Sequence, residues 1–215
     1  MKQAVFTSAL VCGLMIPIAC AGPRAQIGTS VAFPAVQTSS PHLDANDVKQ
    51  LAALGSFVDI QTNLPDDGTA CDVGASKATI YVRCVVSEPQ TDVRASRSIV
   101  QMQGGDYLAL GMSLHQHPPY ILFANPLGVT SQLPARDAKH GLRWSAFVEP
   151  SPDSWAVTYA IDRRSLPPDA GANDDSLTLG MLRFEPHLGR AWYWPRLTDK
   201  HPFAAQNRIS VRIPA

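Results

Sequence analysis

The sequence predicts an all-β protein: a jelly-roll-like β-sandwich with one short N-terminal helix. Three observations carry this expectation. Only 17% of the 215 residues are charged. Proline occurs 18 times, which suits short strands and many turns rather than long helices. Beyond Gly55 the apolar residues recur with period two, in roughly ten short runs separated by turn residues.

The chain opens with the three parts of a secretory signal. Lys2 gives a positive start, Ala4 to Ala19 is almost wholly apolar, and Ala19-Cys20-Ala21 offers a small-x-small cleavage pattern. The apolar run is short for a membrane span. Two fates follow for residues 1–21. Cleavage after Ala21 releases a periplasmic or extracellular protein. Acylation at Cys20 instead anchors a lipoprotein and makes residues 22–41 a tether. Those residues are rich in Ser, Thr, Pro and Gly and read as a linker, with an edge strand around Val31–Val36. Residues 42–215 are then the domain, long enough for one core and short for two.

Asp44 to Leu54 is the one helical stretch. Leu43, Val48, Leu51 and Leu54 recur at helical spacing, Asp44 or Asn46 can cap the start, and Gly55 can end it. Phe57–Gln61 reads as a strand with Val58 and Ile60 on one face. In Ala78–Val86, Ile80, Val82, Cys84 and Val86 alternate with Tyr81, Arg83 and Val85. Ile99–Gln103 reads as a strand, followed by Tyr107–Leu114 with Leu108, Leu110, Met112 and Leu114 on one face. Tyr120–Asn125 follows the Pro118-Pro119 turn. Leu142–Glu149 and Trp155–Ile161 form an antiparallel pair about Pro150–Ser154, with Trp155, Val157, Tyr159 and Ile161 on one side. Ser176–Phe184, Ala191–Trp194 and Ile209–Ile213 complete the set.

Charge and motifs narrow the function. Without Lys2, 17 basic residues face 18 acidic ones. A dedicated nucleic-acid binder would carry a basic excess. No Gly-x-Ser-x-Gly turn, His-Glu-x-x-His helix or phosphate-binding glycine loop occurs. Asp106, Asp137, Glu149, Asp162 and Glu185 supply carboxylates, but the sequence does not pair them across a cleft as a glycosidase needs. His115 and His117 share one side of an extended segment, without a third ligand nearby, and read as a loop tip. His187 and His201 read as isolated surface residues. After removal of the leader, Cys71 and Cys84 remain. Export permits a disulfide between them, while pairing about Gly74–Lys77 leaves them offset along the sheet. A bond and two small core residues are both open.

Four segments resemble a known family. They are Thr79-Ile80-Tyr81-Val82-Arg83, Asp106-Tyr107-Leu108-Ala109-Leu110, Asn125-Pro126-Leu127-Gly128-Val129, and Ser154-Trp155-Ala156-Val157 through Ile161 to Ser165-Leu166. Their order from about Leu43 to Ile213 resembles the family 9 carbohydrate-binding module and its wider, DOMON-related group of exported sandwich domains. The resemblance implies a jelly-roll sandwich that binds carbohydrate, often beside polysaccharide-degrading enzymes. It also implies Ca²⁺ as a bound ion, for which Asp66, Asp67 and Asp72 are nearby donors, or plain turn residues.

The departures bear on the site. The family grips a sugar between two rings, which map to Gln103 and to the neighbourhood of Asp199 or Lys200; neither is aromatic here. The family's strand arginine maps to Phe123, and its strand glutamate to Thr158. A replacement platform is available in Arg190-Ala191-Trp192-Tyr193-Trp194-Pro195-Arg196. There Trp192 and Trp194 share one strand face, flanked by Arg190 and Arg196, with Asp106 and Asn125 as further hydroxyl partners. The same two tryptophans also suit a core face. Trp144 and Trp155 read as core. A third class comes from the haem-binding members of the sandwich group, whose axial-ligand atom types Met102, Met112, Met181 and the histidines supply. Methionines on strands also serve as core filler.

Overall fold

The computed structural model describes residues 30–38, 40–66, 68–114, 119–134, 141–166, 177–197, 202–204 and 207–214, with Gln103 described by its backbone alone. The expected signal segment, Cys20, the pair His115 and His117, and the positions Asp67, Asp137, Asp199, Lys200 and His201 lie outside the described residues.

Among the described residues the chain begins with β1 (Val31–Ala32), a single helical turn α1 (Ala45–Val48) and β2 (Ala52–Ala53). Next come β3 (Phe57–Asp59), β4 (Pro65–Asp66), β5 (Thr69–Ala75), β6 (Thr79–Val86), β7 (Tyr107–Leu114), β8 (Tyr120–Ala124) and β9 (Thr130–Leu133). The last five are β10 (Trp144–Ser151), β11 (Ser154–Asp162), β12 (Leu177–Glu185), β13 (Arg190–Trp194) and β14 (Ile209–Arg212). One sheet has the order β4-β3-β13-β12-β7-β8-β9, with β14 pairing to β12 and to β1. The other has the order β10-β11-β6-β5-β2. Pairing between these strands is antiparallel except for β1 with β14, and a further parallel bridge joins Ala35 to Ala75.

Alternation along the strands builds the core between the sheets. Ile80, Val82, Cys84 and Val86 of β6 and Trp155, Val157, Tyr159 and Ile161 of β11 face Leu108, Leu110 and Met112 of β7 and Met181 of β12. All are essentially inaccessible to solvent. Each such aliphatic side chain contributes about 1.5–3 kcal/mol by leaving water. The Tyr159 hydroxyl crosses between the sheets to donate to the Leu108 carbonyl at 2.8 Å. A second apolar cluster covers the outer face of the large sheet: Met102, Tyr107, Ala109, Phe123, Leu182 and Tyr193.

The structure corrects several expectations. The helix is one turn, not eleven residues. Asp44 does cap it, accepting from the Asn46 and Asp47 amides at 2.7 and 2.8 Å, while Asp47 accepts from the Asp44 amide. After that turn, pairing of Ala52 with Val73 and the 2.7 Å bond from the Leu54 amide to the Cys71 carbonyl draw the segment into the small sheet. Strand pairing therefore wins over helical periodicity. In β3 the buried face is Phe57 and Asp59, leaving Val58 and Ile60 on the other. Asp59 turns inward because its carboxylate accepts from the Gln61 and Thr62 amides that close the next turn.

Ile99–Gly104 is a 3₁₀ helix rather than a strand, with Met102 buried beneath it and Val100 93% exposed. The region expected to be a linker joins the domain through β1, and Phe33 and Val36 are buried. β9 was not anticipated; its Thr-Ser-Gln-Leu sequence carries no clear apolar alternation.

Cys71 and Cys84 form a disulfide. The hairpin closes at Ser76–Thr79, two residues beyond the expected turn, because the Ser76 hydroxyl accepts from the Ala78 and Thr79 amides. That register places Cys71 opposite Cys84 and removes the offset.

Candidate functional site

A cluster of buried charged side chains lies at one end of the sandwich. Arg183 and Glu185 follow Met181 on the inward face of β12, and Glu88 follows Val86 two residues past β6. The inward alternation therefore carries charged side chains into the end of the core. The Arg183 guanidinium lies 4.7 Å over the Trp192 ring, a favourable cation–π placement. It donates to Thr69 Oγ1 at 3.0 Å and to Asp66 Oδ2 at 3.4 Å, bonds Glu185 Oε1, and stands 4.0 Å from Glu88 Oε2. Glu88 accepts from Trp155 Nε1 at 3.2 Å. Burial pushes the Glu88 carboxyl above the usual carboxylate range. Asp106 adds to that rise, against the Trp155 bond and the nearby Arg183 and His187.

Asp106 immediately precedes β7 and is 1% exposed. One carboxylate oxygen accepts from the Arg94 amide, and the other is 3.1 Å from His187 Nδ1. His187 comes from a 3₁₀ turn, Pro186–Leu188, between β12 and β13. Glu88, Asp106 and His187 each present one donor atom, and these atoms lie within 4.8 Å of one another.

Above this cluster, residues 93–105 form a surface cleft of about 360 Å³ lined by Arg94, Ala95, Ser96, Gln101, Gly104 and Gly105. Buried groups hold its shape. The Asp106 amide donates to the Arg94 carbonyl at 2.6 Å. Asn125 Nδ2 donates to the Ser96 carbonyl at 2.7 Å, while Asn125 Oδ1 accepts from the Leu127 and Val129 amides at 3.0 Å. The Asn-Pro-Leu-Gly turn thus fixes Asn125, with Gly128 at φ 77° completing it. Gly105 is required by close approach: a Cβ there would stand 2.4 Å from the Arg94 carbonyl oxygen. The cleft offers a guanidinium, a hydroxyl and a side-chain amide, flanked by exposed Ile99 and Val100.

The residues singled out from the sequence divide sharply. Trp192 and Trp194 are not a sugar platform: they are 7% and 5% exposed and belong to the inter-sheet core. The inward strand face claims them because large aromatic area is worth most when buried. Asp106 and Asn125 are also buried and hold the cleft loop rather than facing into the cleft. Arg190 and Arg196 are exposed. Phe123, at the family's arginine position, is 6% exposed and packs edge-to-face with Tyr107 at 5.6 Å. The outer sheet face is therefore filled where the family resemblance implied a slot. Trp155 is core as expected, whereas Trp144 is partly buried and donates to Gln132 Oε1 at 2.7 Å.

Asp66 is ion-paired to Arg183, and Asp72 lies across the hairpin from Arg83. Met112 and Met181 pack in the inter-sheet core and Met102 in the outer cluster. His187 is not isolated, as its contact with Asp106 shows. Glu88 and the 93–105 loop were missed. For Glu88 the signal was present, since strand parity continued two residues beyond Val86 turns it inward.

No helix among the described residues is long and apolar enough to cross a membrane. No family model matches the chain, and no curated protein sequence does. Solved structures do match. A family 9 carbohydrate-binding module from Caldicellulosiruptor kristjanssonii in complex with glucose aligns with TM-score 0.60 and 10% identity, over 87% of this chain and 97% of that one. The same organism's module in complex with cellotriose gives 0.57 and 11% identity, over 87% and 95%. A Bacteroides uniformis protein to which carbohydrate binding is ascribed gives 0.56 and 9% identity, over 87% and 100%. Two antiparallel-built sheets, one short helical turn and alignment across most of the chain agree: this protein has the β-sandwich fold of the family 9 carbohydrate-binding modules.

Proposed function

We propose that the chain is a non-catalytic, exported carbohydrate-binding domain that holds sugar at the 93–105 cleft. The observation that carries this reading is the likeness, over 87% of the chain, to two modules whose structures contain glucose and cellotriose. The cleft has the chemistry to match. Arg94, Ser96 and Gln101 line the cleft and supply directional partners for hydroxyls, and the exposed Ile99 and Val100, just before Gln101 in the chain, are apolar area available outside its lining. Binding involves no covalent step. Hydrolysis, where it accompanies binding, belongs to a polysaccharide-degrading partner.

Affinity electrophoresis through gels containing soluble polysaccharides tests the site. The parent protein is expected to be retarded by at least one β-glucan or xylan. Arg94→Ala and Gln101→Ala are expected to weaken that retardation at least about tenfold, equivalent to about 1.4 kcal/mol, without lowering the melting temperature. Retardation that survives both substitutions would place the sugar elsewhere, and a parent retarded by no glycan would remove the function.

A further inference from the structure

We propose that Glu88, Asp106 and His187 bind a divalent transition-metal ion, with Zn²⁺ the best match, at the polar end of the sandwich. The site stands apart from the sugar reading and needs no sugar.

Three loops bring the donors together. Glu88 leaves β6, Asp106 enters β7, and His187 stands between β12 and β13. Their donor atoms lie within 4.8 Å of one another. Two ligands at about 2.0–2.1 Å on a tetrahedral ion are separated by about 3.3 Å. Asp106 Oδ1 and His187 Nδ1, at 3.1 Å, are near that spacing already. Glu88, within 4.8 Å of both, has at most about 1.5 Å to close, within the reach of its side-chain torsions. One imidazole with two carboxylates selects against Ca²⁺ and Mg²⁺, which favour all-oxygen shells, and for Zn²⁺ among the ions of nitrogen–oxygen sites.

Charge gives a second, independent argument. Asp66, Glu88 and Glu185 lie within 4.0 Å of the single Arg183 guanidinium, Asp106 stands beside Glu88 and His187, and the side chains of Arg183 and all four acids are at most 8% exposed. Buried charge in such excess calls for a cation. Moreover, Arg183 Nε is a buried donor with no acceptor among the described residues. A hydroxide on a bound Zn²⁺, which acidifies its water to a pKa of about 7, would be an acceptor for such a donor. The His187 side chain, 28% exposed, leaves the cluster open to solvent on one side, which gives an ion a way in. Bound there, the ion would tie the His187 turn to Asp106, and through the Arg94 amide to the sugar cleft.

Tag-free protein stripped with a chelator should be titrated with Zn²⁺, Mn²⁺ and Ca²⁺ by calorimetry. The Trp155 indole N–H resonance, which reports on Glu88, should be followed in parallel. One equivalent of Zn²⁺ is expected to bind in preference to Ca²⁺ and to shift that resonance. His187→Ala, at an exposed position, is expected to fold normally and lose at least about tenfold in Zn²⁺ affinity. Asp106→Asn, which keeps an acceptor for Arg94, is expected to do the same. Zn²⁺ binding unchanged in His187→Ala, preference for Ca²⁺, or an unmoved Trp155 resonance at saturation would overturn the assignment. So would a stripped protein that binds none of the three ions, which would leave Asp106 and His187 as a plain ion pair.

Discussion

The two ends of the sandwich interior are closed by opposite chemistry. At one end Leu114 pairs with Leu177 and Ile80 with Ile161, and Leu142 and Leu166 seal the core. Its charges stay outside, as in the Asp162 pairs with Arg143 and Arg164 at 3.1 and 3.0 Å. At the other end Arg183, Asp66, Glu88, Glu185 and Asp106 occupy the interior itself. Burying charge costs more than burying leucine, and paired charges often only recover that cost. An apolar plug would serve stability equally well. The polar end also has a positional role: Asp106 ties it to the 93–105 loop through the Arg94 amide.

The largest expected effect comes from removing the one buried cation among the described residues. Arg183→Met should destabilise by about 3–5 kcal/mol, because it strands carboxylates inside the fold. Leu177→Ala at the apolar end should cost about 2–5 kcal/mol as a cavity. Urea denaturation separates the two mechanisms. Adding Glu185→Leu to Arg183→Met should recover part of the loss, whereas no second charge removal should rescue Leu177→Ala. A harmless Arg183→Met would erase the distinction between the ends.

Midway between the ends, the Cys71–Cys84 bond staples the β5–β6 hairpin across a separation of 13 residues. Replacing both cysteines with serine should cost about 3 kcal/mol by loosening the constraint on the unfolded chain. The midpoint of denaturation should fall while binding at the polar end persists in the folded fraction.

The smallest effect belongs to the outside of the apolar end. Hydrogen bonds from Arg164, opposed by partial burial and helped by Arg143, hold the Asp162 carboxyl below its ordinary range. A depressed acid stabilises the fold above its unfolded value, near pH 4, and that support is lost as pH falls through the folded value. For an exposed pair the amount is below about 1 kcal/mol. Stability profiles from pH 6 to pH 2 should therefore flatten slightly in Asp162→Asn. A large change would mean that this end, too, depends on charge.

Much of the fold was legible because burial imposes strict alternation. The faces of β6, β7 and β11 follow directly from their sequences, as does the pairing of β10 with β11. What escaped was local competition. Asp44–Leu54 has helical spacing, yet Ala52–Leu54 gains strand bonds. Ile99–Gln103 has strand-like residues, yet Asn125 and Asp106 fold the preceding loop so that a 3₁₀ turn fits. The site was less legible. Trp192 and Trp194 are chemically suited to sugar, but an alternating strand cannot say which face is outside. His187 gains its meaning only from Asp106, 81 residues away in sequence. Glu88 alone was readable, by extending parity past the strand.

The central claim is that sugar is met at the rim of the polar end and not on the filled outer face of the large sheet. Titrating ¹⁵N-labelled protein with cello-oligosaccharide while recording amide shifts tests it most directly. The account predicts saturable shifts confined to residues 94–105 and their neighbours, with Tyr107, Phe123 and Tyr193 unmoved. Shifts centred on Phe123 and Tyr193, or no shifts with any oligosaccharide, would contradict it.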